Sequence, residues 1–218
     1  MKKISRSQFI AIGTLFIFCG ILIFSSQYIL NKRNSLFEYI NMQLYFNQIN
    51  DEPEPEVVDD PVEPVEPVEP QEQPENVITE SYVAIVEIPK IDLKKGLYDI
   101  NSRYNTVSRN VAILSPSDYP DVVNGNFVLA AHSGNGYLSF FRNLYKLSSG
   151  DVVYVYYNNY KYTYVINYIY NQQKTGTINV YRDHSKTTLM LITCTKNDES
   201  SQTVYVANLQ GKEYYEGD

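Results

Sequence analysis

The chain has 218 residues, 44% hydrophobic and 14% aromatic, which suffices for one packed domain with appendages and not for several domains. Two cysteines, two histidines and the absence of any CxxC or HExxH run exclude a disulfide scaffold and the usual close ligand pairs of a zinc site. The net charge of −7 resides in one segment, residues 51–75, which hold 11 acidic and no basic side chains; the remainder has 14 acidic against 18 basic, a net +4, so the low pI defines no acidic or cationic partner.

Residues 9–30 run FIAIGTLFIFCGILIFSSQYIL without a charge. About 20 apolar residues cross the ~30 Å hydrocarbon core as a helix, so this segment is expected to be a transmembrane signal-anchor. Lys2, Lys3 and Arg6 precede it, and the positive-inside bias makes residues 1–8 cytoplasmic, with everything after the anchor outside. A cleaved signal peptide is the competing reading; the run exceeds an h-region of about 7 to 15 residues and lacks a small-x-small cleavage site. Cys19, within the run, reads as a small apolar residue.

Residues 31–50, with Leu36, Phe37, Ile40, Leu44 and Ile49 at partly helical spacing, read as a juxtamembrane stalk. Residues 51–80 form an acidic, proline-rich spacer around a tandem Val-Glu-Pro repeat at 61–70. Proline at every third place favours polyproline II, and at ~3.1 Å per residue residues 51–75 would extend roughly 75 Å.

From Ser81 to Asp218 the pattern is globular and mostly β. Strands are expected at 82–88, ended by Pro89, at 127–131, at 151–157 and 160–170 joined by an Asn158-Asn159 turn, at 189–194 and at 203–209. Tyr160, Tyr162, Tyr164, Ile166, Tyr168 and Tyr170 recur at period two, a ladder expected to pack a sheet with hydroxyls reaching the surface. A short helix is expected between Tyr137 and Leu147. Many short strands with little helix imply a single barrel or sandwich.

Cys194, at the end of Thr188-Leu189-Met190-Leu191-Ile192-Thr193, is the one cysteine of this domain and has no disulfide partner within it. It is either an inert buried thiol or a nucleophile served by a base brought to it through space. His132 ends the strand at 127–131 beside a Ser-Gly-Asn-Gly loop and is the preferred partner; His184, in the charged stretch 181–186, is the rival.

In order, Ile88-Pro89-Lys90-Ile91, Leu129-Ala130-Ala131-His132, Phe141-Arg142-Asn143-Leu144 with Leu147-Ser148-Ser149-Gly150-Asp151, and Thr188 to Cys194 resemble a sortase over nearly all of residues 81–209. The resemblance implies a closed eight-stranded β-barrel with one or two short helices, preceded by the transmembrane helix, and a cysteine transpeptidase activity. Sortases cleave a C-terminal LPxTG-like sorting signal on secreted proteins, hold the acyl part as a thioester and pass it to an amine of the cell-wall precursor or a pilin lysine. By this resemblance Cys194 is the nucleophile, His132 the imidazolium and general acid, and Thr193 a support whose hydroxyl and backbone lie beside the oxyanion. No cofactor, metal or nucleic acid is implied, and the catalytic domain belongs outside a cell membrane crossed once.

The family's third catalytic residue is an arginine at the start of the last strand, where this chain has Gln202. Glutamine donates two hydrogen bonds without charge, whereas guanidinium offers five donors in a fixed fork. Gln202 serves in its place, or a cation such as Arg182 or Lys196 reaches the site, or the domain is an impaired or non-catalytic peptide-binding module. Arg142 reads as a helix-surface residue. The short 171–186 segment, and the lack of a lid motif or second hydrophobic span, align the chain with N-terminally anchored class A and D members and wall attachment rather than pilus building.

Overall fold

A computed structural model describes residues 6–50 and 81–215. Residues 1–5 of the expected cytoplasmic end, 51–80 of the expected spacer and 216–218 lie outside the described residues. There are two compact units, Met1–Asn41 and Met42–Asp218.

Helix α1 spans Arg6–Asn50, 45 residues, and contains the whole apolar run. Within that run the side chains of residues 9–11, 27 and 30 lie outside the described ones, and among the described residues no helix is long and apolar enough to cross a membrane. Residues 12–26 are all exposed, Phe24 at 83%. The last turns of α1 belong to the second unit, where Tyr45 and Phe46, from the expected stalk, are buried with Tyr82, Ile85 and Tyr156. Phe46 meets Tyr156 edge-on at 5.7 Å between ring centroids, and the Tyr45 hydroxyl donates to the Tyr156 carbonyl at 3.1 Å.

Eight strands make one nearly closed sheet: β1 Ala84–Ile88, β2 Leu93–Leu97, β3 Ala112–Ile113, β4 Asn126–Ala130, β5 Val152–Tyr157, β6 Tyr160–Gln173, β7 Thr188–Cys194 and β8 Ser201–Tyr214. Their order is β2-β1-β5-β6-β8-β7-β4-β3, with β4 and β7 parallel and all other neighbours antiparallel. The expected strands are all present; β2 and β3 are additional. β2 reads LKKGL, too polar to stand out by pattern, and follows β1 through a 3-10 turn at Pro89–Ile91 closed by Asp92 at φ 53°. The β5–β6 turn has Asn158 and Asn159 at φ 48° and 60°, the double left-handed geometry that suits a two-residue hairpin.

The helix expected at 137–147 is reduced to a 3-10 turn at Leu144–Lys146. Phe141 and Leu144 still bury completely, because consecutive turns suffice to aim both at the barrel core. That core takes Phe127 and Leu129 of β4, Leu189 and Leu191 of β7 and Tyr205 of β8.

The tyrosine ladder departs from simple alternation. Ile166 pairs with Ala207 and Tyr168 with Val206, so Asn167 is an extra residue on β6, a bulge. Before it, Tyr162, Tyr164 and Ile166 point into the core; beyond it, Tyr168 and Tyr170 pack on the opposite face. The expectation that the ladder's hydroxyls reach the surface is therefore corrected at Tyr162 and Tyr164, which are 1% and 0% exposed.

Candidate active site

The parallel pairing of β4 with β7 aligns Ala130 with Ile192. One residue on, the Ala131 N–H donates to the Ile192 carbonyl at 3.3 Å, and the Thr193 hydroxyl donates to the Ala131 carbonyl at 2.8 Å. Extending this register brings His132 beside Cys194, on neighbouring strand ends about 4.8 Å apart. Both line one cavity of about 840 Å³ with the 133–135 and 195–199 loops. His132 is exposed and Cys194 half-buried, so both side chains are reachable from solvent.

On the other side of β7, Cys194 pairs with Gln202 of β8. Gln202 thus sits directly across from the thiol-bearing residue, at the position expected from the sequence.

Thr193, expected to support the site, lines the same cavity as His132 and Cys194. Its hydroxyl donates to the Ala131 carbonyl and so ties β7 to β4. A second tie, from the Ser133 hydroxyl to the Cys194 carbonyl at 2.8 Å, carries no sequence signal, because serine in a Ser-Gly-Asn-Gly loop reads as turn chemistry.

Arg182 donates to the carbonyls of Asn124 and Lys186, beside the starts of β4 and β7. His184 follows in the same connection. At ~3.3 Å per residue the length of β7 separates both from Cys194 by roughly 20 Å, which removes Arg182 as a substitute cation and His184 as a rival base. Lys196 does line the cavity, with its ammonium 3.4 Å from the centre of the Tyr145 ring. Arg142, expected on a helix surface, also lines it and donates to the carbonyls of Asn135 and Gly136. Lys174 completes the positive lining and donates to the Glu199 carbonyl.

A second feature leads up to Cys194. Val128 and Ala130 of β4, Met190 and Ile192 of β7, and Val204 and Val206 of β8 form an apolar floor on the outer face of the sheet. Tyr168, Tyr170 and Ile178 border it on the β6 side, Val107 and Leu114 on the β3 side. The β6 wall is pinned by hydroxyls: Tyr170 donates to the Asn179 carbonyl at 2.6 Å and Tyr168 to that of Tyr181. Burial raises both phenols above the ordinary tyrosine range, which keeps them protonated donors. Among the described residues, no three His, Cys, Asp or Glu side chains cluster to hold a metal.

The family model for the sortase domain matches residues 86–210. Among solved structures, the chain is similar to a sortase D5 transpeptidase of Clostridium perfringens, with 25% identity and a TM-score of 0.51 over 60% of this chain and 80% of that one. It shares the fold of sortase C from Streptococcus pneumoniae (22% identity, TM-score 0.54, 61% and 70% covered) and of sortase A from Corynebacterium diphtheriae (23%, 0.54, 61% and 62%). A comparison with curated proteins finds no match. The matched stretch covers more than half of the sequence and includes Cys194, His132 and Gln202: the chain belongs to the sortase family.

Proposed function

We propose that this protein is a membrane-anchored cysteine transpeptidase that cleaves a C-terminal LPxTG-like sorting signal on secreted proteins and transfers them to an amine of the cell-wall precursor. The observation that carries the reading is the register that lines up His132, Cys194 and Gln202 on adjacent strands where the apolar floor ends. The peptide lies along that floor, and the Cys194 thiolate attacks its scissile carbonyl. The C–N bond breaks as the S–C bond of the thioester forms, and the His132 imidazolium gives its proton to the leaving amine. An acceptor amine then attacks the thioester, passes a proton to His132 and releases the thiolate.

Gln202 offers neutral donors to the carbonyl as charge develops on it, where one well-placed donor contributes about 3 kcal/mol. Residues 9–30 anchor the protein: they are uncharged, helical and, where described, exposed. Lys2, Lys3 and Arg6 favour a cytoplasmic N-terminus with the barrel outside. The β6–β7 connection carries no helix, which favours wall attachment by a class A or D type enzyme.

Incubation with an LPxTG-like peptide and an amine tests this directly. Intact-mass spectrometry should show an acyl adduct on Cys194 that the amine discharges, and Cys194→Ala should give neither adduct nor product; turnover that survives this change sinks the proposal. Gln202 motivates a second reading, a peptide-binding module without catalysis, for which the same peptide binds but no adduct forms.

A further inference from the structure

The bulge at Asn167 has a reach beyond the tyrosines. Because it exchanges the faces of β6, the even-numbered residues after it share a face with Met190, Ile192 and Val204. Gln172 is one of them. It pairs with Gln202 on β8, and Gln202 pairs with Cys194 on β7, so Gln172, Gln202 and Cys194 form one row across three strands, neighbours about 5 Å apart at Cβ.

The orientation of the Gln172 amide is fixed. Its Oε1 accepts the Asn179 backbone N–H at 3.0 Å, and since a backbone N–H must face an oxygen, Nε2 is the free end. That Nε2 is buried and has no hydrogen-bond partner. A buried donor left unmade costs about 1–3 kcal/mol, so its position calls for an acceptor that arrives when the site is engaged. The nearest group in the row able to accept is the side-chain carbonyl of Gln202, one strand closer to the thiol.

We propose that Gln172 is a positioning residue that acts through Gln202. The Asn179 N–H holds Gln172 Oε1, Gln172 Nε2 donates to Gln202 Oε1, and Gln202 Nε2 is thereby turned toward Cys194 and the substrate carbonyl. Two neutral amides in series polarise each other and give Gln202 the fixed aim that a lone flexible glutamine lacks. The proposal rests on the transpeptidase reading, which makes Gln202 a donor to substrate.

Gln172→Glu and Gln172→Leu test it in the full chain. Glutamate keeps the acceptor for Asn179 but loses the donor, so both variants should lower kcat roughly tenfold, about the effect of one hydrogen bond, with KM little changed. A purely structural Gln172 would leave Gln172→Glu as active as the parent, which overturns the proposal. Gln172→Leu added to Gln202→Leu should cost nothing further, because the two act as one unit; multiplying effects overturn it as well. A readout independent of turnover is the side-chain amide of Gln202 by NMR. Its resonances should move in both Gln172 variants, and unmoved resonances refute the relay. If the parent enzyme forms no acyl adduct while the resonances move, the transpeptidase reading fails and the relay stands.

Discussion

The Ser133 hydroxyl donates to the Cys194 carbonyl at 2.8 Å, and one residue back on the β7 side and two back on the β4 side the Thr193 hydroxyl donates to the Ala131 carbonyl at the same distance. The two bonds run in opposite senses across the gap between β4 and β7, just where their backbone ladder ends. They fix the spacing of His132 and Cys194 without touching either ring or thiol.

Ser133→Ala removes the outer tie and leaves the couple intact. It should lower kcat/KM for a sorting-signal peptide about tenfold, since small misplacements of reacting groups are costly, while global stability falls by only ~1 kcal/mol. Parallel kinetics and thermal melts check this; unchanged kinetics would show that the inner tie suffices.

Phe46 and Tyr82 lie on either side of residues 51–80 in the sequence yet meet in one apolar cluster with Tyr156. The stalk end of α1 is therefore part of the barrel's packing, and Lys94 adds a cation over the Phe46 ring at 5.2 Å. Phe46→Ala should destabilise the barrel by about 3 kcal/mol, the lower end for deleting a buried aromatic ring, and lower Tm by roughly 10 °C. A chain beginning at Ser81 should show a similar loss. Equal melting of all three proteins would mean the helix end adds nothing to the barrel.

Six of the eight strands and the nearness of Cys194 to His132 were legible because buried strands and a solitary thiol leave strong local signals. The position of Gln202 was legible because it is set by the count back from Val204 to Ala207. What stayed hidden depends on pairing between distant strands. The polar β2 is a strand because β1 supplies its partner, and the face of Gln172 is decided by one unpaired residue at Asn167, which alternation read along β6 alone does not reveal. Ser133 and Arg142 acquire roles only when their loop closes over the strand ends.

Asp151 accepts hydrogen bonds on Oδ2 from the Lys90 ammonium at 2.7 Å and the Ser148 N–H at 2.7 Å, fixing the turn into β5. Burial pushes its pKa up, but the Lys90 and Ser148 bonds outweigh that and hold the carboxyl below the ordinary aspartate range. A depressed folded value means that the contribution is complete above the unfolded pKa near ~3.9 and is lost as pH falls through the folded one. Stability should thus be insensitive to this group from neutral pH to about 4 and decline below it. Denaturant midpoints measured against pH should show a shallower acid limb in Asp151→Asn; an identical limb would assign the acid loss to other carboxylates.

Gln202 pairs with Cys194 from β8, the strand on the other side of the thiol from His132, and its amide is neutral. A donor that acts on developing negative charge contributes to the transition state more than to the bound substrate. Gln202→Ala should accordingly lower kcat by about 10²–10³ with KM nearly constant, the scale expected for an oxyanion donor. A kcat effect below about threefold, under 1 kcal/mol, would remove Gln202 from the reaction and turn attention to Lys196, the cavity-lining cation that follows Cys194 by two residues.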